Sequence, residues 1–280
     1  MSTLAPAAPV AAQSSVPSAR LTFGGIAKAE WIALLSLRAT HWSLWIGAAL
    51  AFGLTAGMAF LWAFDAPSVG DPRALEGVPP IGSIVVNGYI VAIAVAVVLG
   101  AAAYAKENAT GSLRTRLAAA PRRGSTLLAM AVVTGTALFV FSVVGFALCA
   151  LVCALIYGAF GAPVVLADPL FDLILPLLGI GVGTALTGAF SLGIGAMLRS
   201  ETWAVSLAFA VIFVLPMVLM TLPWQWAATA SEYVYGTTVQ ALPGTSAGLT
   251  GDYLADVLIT VAWAAAIMVG GAIVMKRRDA

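Results

Sequence analysis

The sequence predicts an all-α, polytopic membrane protein with six transmembrane helices. Hydrophobic residues make up 61% of the 280 residues and charged residues only 9%, whereas soluble domains carry about 25% charged residues. A helix needs about 20 predominantly apolar residues to cross a bilayer. Six apolar runs meet that requirement, and they cover residues 43–64, 84–105, 126–157, 173–198, 203–222 and 254–275.

The chain before the first span divides into two parts. Residues 1–20 are rich in Ala, Pro and Ser and contain no apolar run, so we expect a disordered N-terminal tail. In residues 21–42, large apolar side chains such as Trp31 and Leu34 are interspersed with Lys28, Glu30 and Arg38. This pattern predicts an amphipathic helix that lies at the membrane interface. Residues 43–280 then form a single six-span domain.

The basic residues give the predicted orientation. Cytoplasmic loops carry an excess of Lys and Arg. If the N-terminus lies in the cytoplasm, twelve of the thirteen Lys and Arg residues fall on the cytoplasmic side, and Arg73 alone falls outside. The sequence therefore predicts that both termini are cytoplasmic.

The strongest local feature is the basic loop of residues 106–124, between the second and third spans. It holds five of the thirteen basic residues and a single acid, Glu107. Residues 107–119 favour a helix, Pro121 ends it, and Gly124 lets the chain turn back towards the membrane. On composition alone, such a loop does no more than anchor the topology.

The loop also resembles the first cytoplasmic loop of type-2 permeases, the membrane subunits of ATP-binding-cassette (ABC) exporters. The residues that carry the resemblance are Glu107, Gly111, Ser112, Leu113, Arg114, Leu117, Pro121, Arg122 and Arg123. The interfacial helix, the six spans and the large last external loop extend the resemblance over nearly the whole chain. In that family this loop contains a coupling helix that docks on the ATPase. The resemblance thus implies a coupling role for five residues: Glu107, Gly111, Leu113, Arg114 and Leu117.

The resemblance implies a function as well. The chain would be the membrane-spanning subunit of an ATP-driven exporter for a hydrophobic or amphipathic substrate, such as a drug, antibiotic, lipid or peptide. Its partners would be an ABC ATPase subunit, a second permease subunit in a homodimer or heterodimer, and membrane lipids, but no nucleic acid. It would reside in the cell membrane.

The chain itself is not expected to be an enzyme. None of its three lysines stands in the GxxxxGK[ST] pattern that cradles phosphates. ATP and Mg are therefore expected in the partner ATPase, with no cofactor in this chain. No catalytic residues are predicted, and no metal site either, because Cys149 and Cys153 have no further ligands near them in sequence.

The polar and small residues inside the spans have two interpretations. Small residues recur every four positions through the fourth span, a spacing that allows another helix to approach closely. The same residues could instead line a translocation path. The positions to which both interpretations apply are Asn87, Gly183, Thr187 and Ser191.

The last external loop, residues 223–251, also has two interpretations. It contains Trp224, Trp226, Tyr233 and Tyr235. In the type-2 permeases a partly re-entrant helical segment occupies this position. Alternatively, the segment is an exposed loop whose aromatic side chains lie among the lipid headgroups.

Two other functions fit the composition. One is a membrane scaffold or accessory protein outside the ABC class. The other is an ion-coupled carrier, which usually needs a charged residue within the membrane. No charged residue lies deep in any of the six runs, so the sequence disfavours the carrier.

The orientation can be tested by labelling single cysteines in a variant that lacks Cys149 and Cys153. We expect an impermeant thiol reagent to label positions 68 and 237 in intact cells, and positions 115 and 279 only after permeabilisation, because the basic residues are segregated to one side. Labelling of position 115 in intact cells would contradict the predicted orientation.

Overall fold

The computed structural model describes residues 23–36, 38–65, 78–109, 123–166, 168–198, 200–244 and 251–278. The described part of the chain is helical, with short connections and no strand. Six of its helical segments are long and apolar enough to span a membrane, which confirms the number of spans predicted. They are Thr40–Phe64, Ile81–Tyr104, Thr126–Phe160, Leu170–Leu198, Glu201–Thr221 and Asp252–Arg277.

The helices run in chain order as follows. The first three spans contain α2 (Arg38–Asp65), α4 (Tyr89–Ala109) and α5 (Arg123–Phe160), with α1 (Phe23–Ser36) before them. The second span opens with α3 (Ile81–Val85) and a 3-10 turn (Val86–Gly88). The remaining helices are α6 (Leu175–Leu198), α7 (Glu201–Phe209), α8 (Leu215–Thr221), α9 (Gln225–Tyr233), α10 (Tyr235–Ala241) and α11 (Gly251–Arg278).

The segment predicted as one interfacial helix is divided differently in the structure. Helix α1 ends at Ser36, and residues 38–42 already belong to α2, the helix of the first span. Helix α1 packs against α5. Its acid Glu30 is buried, whereas Trp31 and Ile32 are exposed. Since the charged side chain points into the bundle and apolar side chains point out, an amphipathic helix lying on the membrane surface stays a prediction.

Helix α6 is the centre of the bundle. Fifteen of its 24 residues are buried, and α4, α5 and α11 all pack along it. Three of its glycines lie against three different neighbours. A Cβ on Gly181 would meet Phe139 of α5, one on Gly193 would meet Ile267 of α11, and one on Gly195 would meet Ala101 of α4. Small residues on every side of α6 therefore bring the surrounding helices close to its backbone.

The closest of these approaches joins α4 and α6. A Cβ added to Gly100 would collide with the carbonyl oxygen of Gly188. A backbone atom cannot move aside as the end of a flexible side chain can. The contact therefore requires glycine at position 100.

The fourth and fifth spans share an irregular helical feature. Each contains a π-helical turn, Leu170–Ile174 in one and Ala210–Val214 in the other, followed two residues later by a proline. Because Pro176 and Pro216 have no N–H, the carbonyls four residues earlier lose their usual helical donor. Interruptions of this kind occur typically at proline and at π-bulges.

A glycine from another helix approaches each of these carbonyls. A Cβ on Gly82 of α3 would collide with the Asp172 oxygen, and a Cβ on Gly236 of α10 would collide with the Ile212 oxygen. Both glycines are the second residue of a short helix. The two interruptions therefore each create a site against which the start of a short helix packs.

Several predicted features lie outside the described residues. These are the tail of residues 1–20 and four of the five predicted coupling residues: Gly111, Leu113, Arg114 and Leu117. The fifth, Glu107, lies in the last turn of α4, which continues beyond the second span to Ala109.

The packing of α4 on α6 can be tested with Gly100→Ala. We expect destabilisation by about 1–3 kcal/mol, because the new methyl group meets backbone and forces the helices apart. Thermal unfolding in detergent, followed by circular dichroism, measures the effect. The matched control is Gly53→Ala on α2, where a Cβ has no neighbour within 4 Å and alanine raises helix propensity. Equal melting temperatures for the two variants would contradict the proposed tight contact.

Candidate functional site

Residues 225–241, between the fifth and sixth spans, form a pair of short helices, and the second is buried in the bundle. Helix α9 packs against α8, while α10 packs against α11 and the π-helical turn of the fifth span. Tyr235, Gly236, Thr238 and Val239 of α10 are all buried. An exposed loop anchored only by aromatic side chains does not describe this segment, although Trp224, Trp226 and Tyr233 are exposed.

The burial of α10 affects the cysteine-labelling experiment at position 237. The hydroxyl oxygen of Thr237 is buried, so a cysteine there would react poorly from either side. Glu232 is exposed on α9 and replaces Thr237 as the position that we expect to be labelled in intact cells.

Tyr235 joins α10 to the central helix. Its ring stacks on Phe190 of α6 with the centroids 4.1 Å apart and the planes 7° from parallel. Its hydroxyl lies 3.2 Å from Thr187 Oγ1. Thr187 already donates its proton to the Gly183 carbonyl oxygen, so the Tyr235 hydroxyl is the donor in this pair. Burial raises the pKa of Tyr235 above its ordinary value, which keeps the hydroxyl protonated as that role requires.

Three of the four predicted path or packing residues come together here. Gly183, Thr187 and Ser191 are buried on α6. Thr187 Oγ1 donates to the Gly183 oxygen at 2.8 Å, and Ser191 Oγ donates to the Thr187 oxygen at 2.9 Å. Their hydroxyl protons are thus used within α6, and the face they form is covered by neighbouring side chains. All three residues are buried in the bundle, and whether they serve helix packing or a translocation path stays a prediction.

Asn87, the fourth residue, lies apart from the other three. It is exposed in the 3-10 turn before α4. Its amide nitrogen donates to the Ser83 oxygen at 3.2 Å and the Ile84 oxygen at 2.9 Å. The side chain therefore hydrogen-bonds to backbone carbonyls of the preceding helix, α3.

Side chains from the surrounding helices satisfy the carbonyls at the end of α10. The last carbonyls of a helix have no partner within it, and such groups are costly to bury unpaired. The Tyr89 hydroxyl of α4 donates to the Val239 oxygen at 2.9 Å, and the Tyr253 hydroxyl of α11 donates to the Leu242 oxygen at 3.0 Å. Hydrogen bonds from two tyrosines of different spans therefore reduce the free-energy cost of burying these carbonyls.

Two more contacts complete this arrangement. The hydroxyls of Thr260 on α11 and Thr238 on α10 are 2.9 Å apart, and Trp263 Nε1 donates to the Tyr233 oxygen at 2.9 Å. We call the set of Tyr89, Thr187, Phe190, Tyr235, Thr238, Tyr253 and Thr260 the central cluster.

Sequence reasoning identified only part of the central cluster. Thr187 stood out through the small-residue spacing, whereas Tyr89 and Phe190 each look like one more aromatic in an apolar run. No sequence signal pointed to Tyr89. Gly183 leaves a space that the Tyr89 hydroxyl fills, because a Cβ there would collide with it, but no local pattern connects residues 94 positions apart.

The chemistry of the central cluster is that of neutral hydroxyls and aromatic rings. Among the described residues, no three His, Cys, Asp or Glu side chains lie together in a way that could hold a metal ion. The cluster can position α10 and can donate or accept hydrogen bonds. It contains no group that would carry charge at neutral pH.

Two cavities lie elsewhere in the bundle. One of about 100 Å³ is formed by α1, α2, α4 and α5, and one of about 590 Å³ by α2, α4 and α5. Neither is lined by Gly183, Thr187 or Ser191.

Comparison with known proteins does not assign the chain to a family. No protein-family model matches the chain, and no curated protein matches it either.

Two substitutions separate the contributions of Tyr235. Tyr235→Phe keeps the ring stack and loses the hydrogen bond, and interhelical hydrogen bonds in membrane proteins average about 0.6 kcal/mol. Tyr235→Ala also loses the stack and leaves a cavity, which costs about 3–5 kcal/mol for a large aromatic. We expect the melting temperature in detergent to fall slightly for the first and strongly for the second. Similar melting temperatures for both would show that the Phe190 stack contributes little.

Proposed function

We propose that this chain is the membrane-spanning subunit of an ATP-driven exporter, and that a separate ATPase drives it through residues 106–124. The observation that carries the proposal is where this loop is attached. Its two ends continue from α4 and into α5, and both helices pack along the central helix α6. A movement of the loop would therefore be transmitted directly to the core of the bundle.

A single helix connects the loop to the central cluster. Helix α4 runs without a break from Tyr89, a member of the central cluster, to Ala109 at the loop. Twenty-one residues of helix at about 1.5 Å per residue give a length of ~30 Å. Displacement at the loop end would reach the Tyr89 hydrogen bond to α10 at the other end. This offers a physical link between ATP hydrolysis outside the membrane and helix movements on the far side.

The remaining parts of the proposal follow from the resemblance. Both termini lie in the cytoplasm, and the protein resides in the cell membrane. A second permease subunit, identical or different, completes the translocation path for a hydrophobic or amphipathic substrate. The partner ATPase binds ATP and Mg and carries out hydrolysis. The mostly exposed first, fifth and sixth spans leave apolar surface for lipids and for that second subunit.

The coupling role is tested with Glu107→Ala combined with Leu113→Asp. Leu113 and Leu117 share one face if residues 107–117 are helical, and we expect that face to bind a groove on the ATPase. Losing an interface anchor costs about 2 kcal/mol or more, which corresponds to roughly 30-fold weaker association, and burying a charge adds to the loss. The variant should insert normally in the membrane yet lose both the co-purifying ATPase and substrate efflux.

The matched control is Thr115→Asp, which adds the same charge on the other side of the predicted helix. It should retain the ATPase. If the loop only anchors topology, the test variant will keep wild-type ATPase association and efflux at matched membrane levels, and the proposal is then wrong. That result would favour the scaffold interpretation.

A further inference from the structure

Helices α1 and α2 each carry an exposed basic side chain beside exposed, large apolar ones. Lys28 of α1 precedes Trp31 and Ile32 by three and four residues, and Arg38 of α2 precedes Trp42 by four. Residues at these spacings share one face of a helix. Trp31, Ile32 and Trp42 are 41%, 59% and 68% exposed, and both basic side chains are exposed as well. We call these five residues the basic aromatic face.

The opposite side of α1 is turned into the bundle. Glu30, Ala33 and Leu34 line the smaller cavity, and α1 packs against α5. The side with Trp31 and Ile32 therefore points away from the protein. Two adjacent large apolar side chains are costly to keep in water, so this side of α1 favours contact with lipid over full hydration.

The basic aromatic face lies where the first span begins. The membrane-spanning part of α2 starts at Thr40, two residues after Arg38. Tryptophan is enriched at this depth of a membrane. The apolar stems of Lys and Arg pack on apolar surface there, while their charged ends reach the headgroups. The position of Arg38 and Trp42 thus matches the headgroup region of one leaflet.

The chain offers no carboxylate to the two basic side chains of this face. Within the described part of the chain, neither Lys28 nor Arg38 has an ion-pair or hydrogen-bond partner. Glu30, the acid of α1, is buried on the other side of the helix. Residues 1–22, which precede α1, contain no Asp or Glu, and neither do residues 110–122. An anion from outside the chain would complement both charges.

We propose that the basic aromatic face binds an anionic phospholipid. The Arg38 guanidinium pairs with the lipid phosphate, because its planar array of donors matches phosphate oxygens. The Lys28 ammonium adds a second positive charge for the negative headgroup. Trp31, Ile32 and Trp42 contact the glycerol and upper acyl region. A phosphatidylcholine brings its own cation, which Lys28 and Arg38 disfavour.

This binding surface goes beyond the proposed export function and does not depend on it. Binding requires one chain, with no ATPase and no second subunit. Loss of ATPase association would leave it unaffected.

The test titrates the full-length chain in detergent with phosphatidylglycerol and, separately, with phosphatidylcholine of the same acyl chains. Native mass spectrometry counts the bound lipids. We expect phosphatidylglycerol to bind more tightly. Lys28→Gln combined with Arg38→Gln should weaken its binding about 25-fold, since each basic residue near an anionic lipid surface contributes roughly a fivefold gain. Binding of phosphatidylcholine should not change.

The matched control is Lys276→Gln combined with Arg277→Gln. Both residues are exposed at the end of α11, and no tryptophan lies within four residues of them. Six spans separate α1 from the end of α11, so the two pairs lie on the same side of the membrane. The control removes the same charge from that side and should change phosphatidylglycerol binding by less than about threefold.

A second measurement uses the wild-type chain and so does not depend on how the variants fold. Phosphatidylglycerol with a photoactivatable diazirine in its headgroup should label residues 28–42, as located by mass spectrometry. Equal affinity for the two lipids overturns the proposal. So does an equal loss of phosphatidylglycerol binding in the control variant, which would show that only the net charge of that side matters. Labels that are absent from residues 28–42 overturn it as well.

Discussion

The architecture depends on how closely other helices can approach the backbone of α6. Lipid tails are as apolar as the side chains they surround, so helices in a bilayer associate through close packing and hydrogen bonds rather than through a hydrophobic driving force. Glycines on several sides of α6, and Gly100 opposite it on α4, remove the side-chain layer that would otherwise separate the helices. The second and fourth spans are accordingly the most buried, and the others surround them.

A second constraint explains how a short helix can lie inside the bundle. Backbone polar groups within a membrane protein must find partners in the protein itself. Helix α10 satisfies this requirement with hydroxyl donors from α4 and α11, and it fits against α6 and the fifth span because Gly236 and Gly179 remove steric obstacles. The same combination of a π-helical turn, a proline and an approaching glycine recurs at Gly82 and Asp172. The same local arrangement therefore positions two short helices, α3 before α4 and α10 before α11.

Three regions of the bundle are formed by different residues. The neutral central cluster fixes α10 against α4, α6 and α11. The loop of residues 106–124 is held by α4 and α5, so it is connected to that cluster through a single helix. The cavities beside Glu30 and between α2 and α5 are lined by none of the residues of the central cluster. Because these three regions share no residues, substitutions in each can be tested independently.

The sequence by itself determined the all-α class, the number and approximate limits of the six spans and the small-residue face of α6, because these depend on the composition of continuous segments. The tertiary structure decided which way Glu30 faces, the burial of α10 and the partners of Tyr89 and Tyr235. Tyr89 and Val239 are separated by 150 positions, and Thr187 and Tyr235 by 48. No periodic pattern links residues so far apart. Their contacts arise only when the helices pack, since packing fixes which backbone carbonyl lies within reach of which hydroxyl.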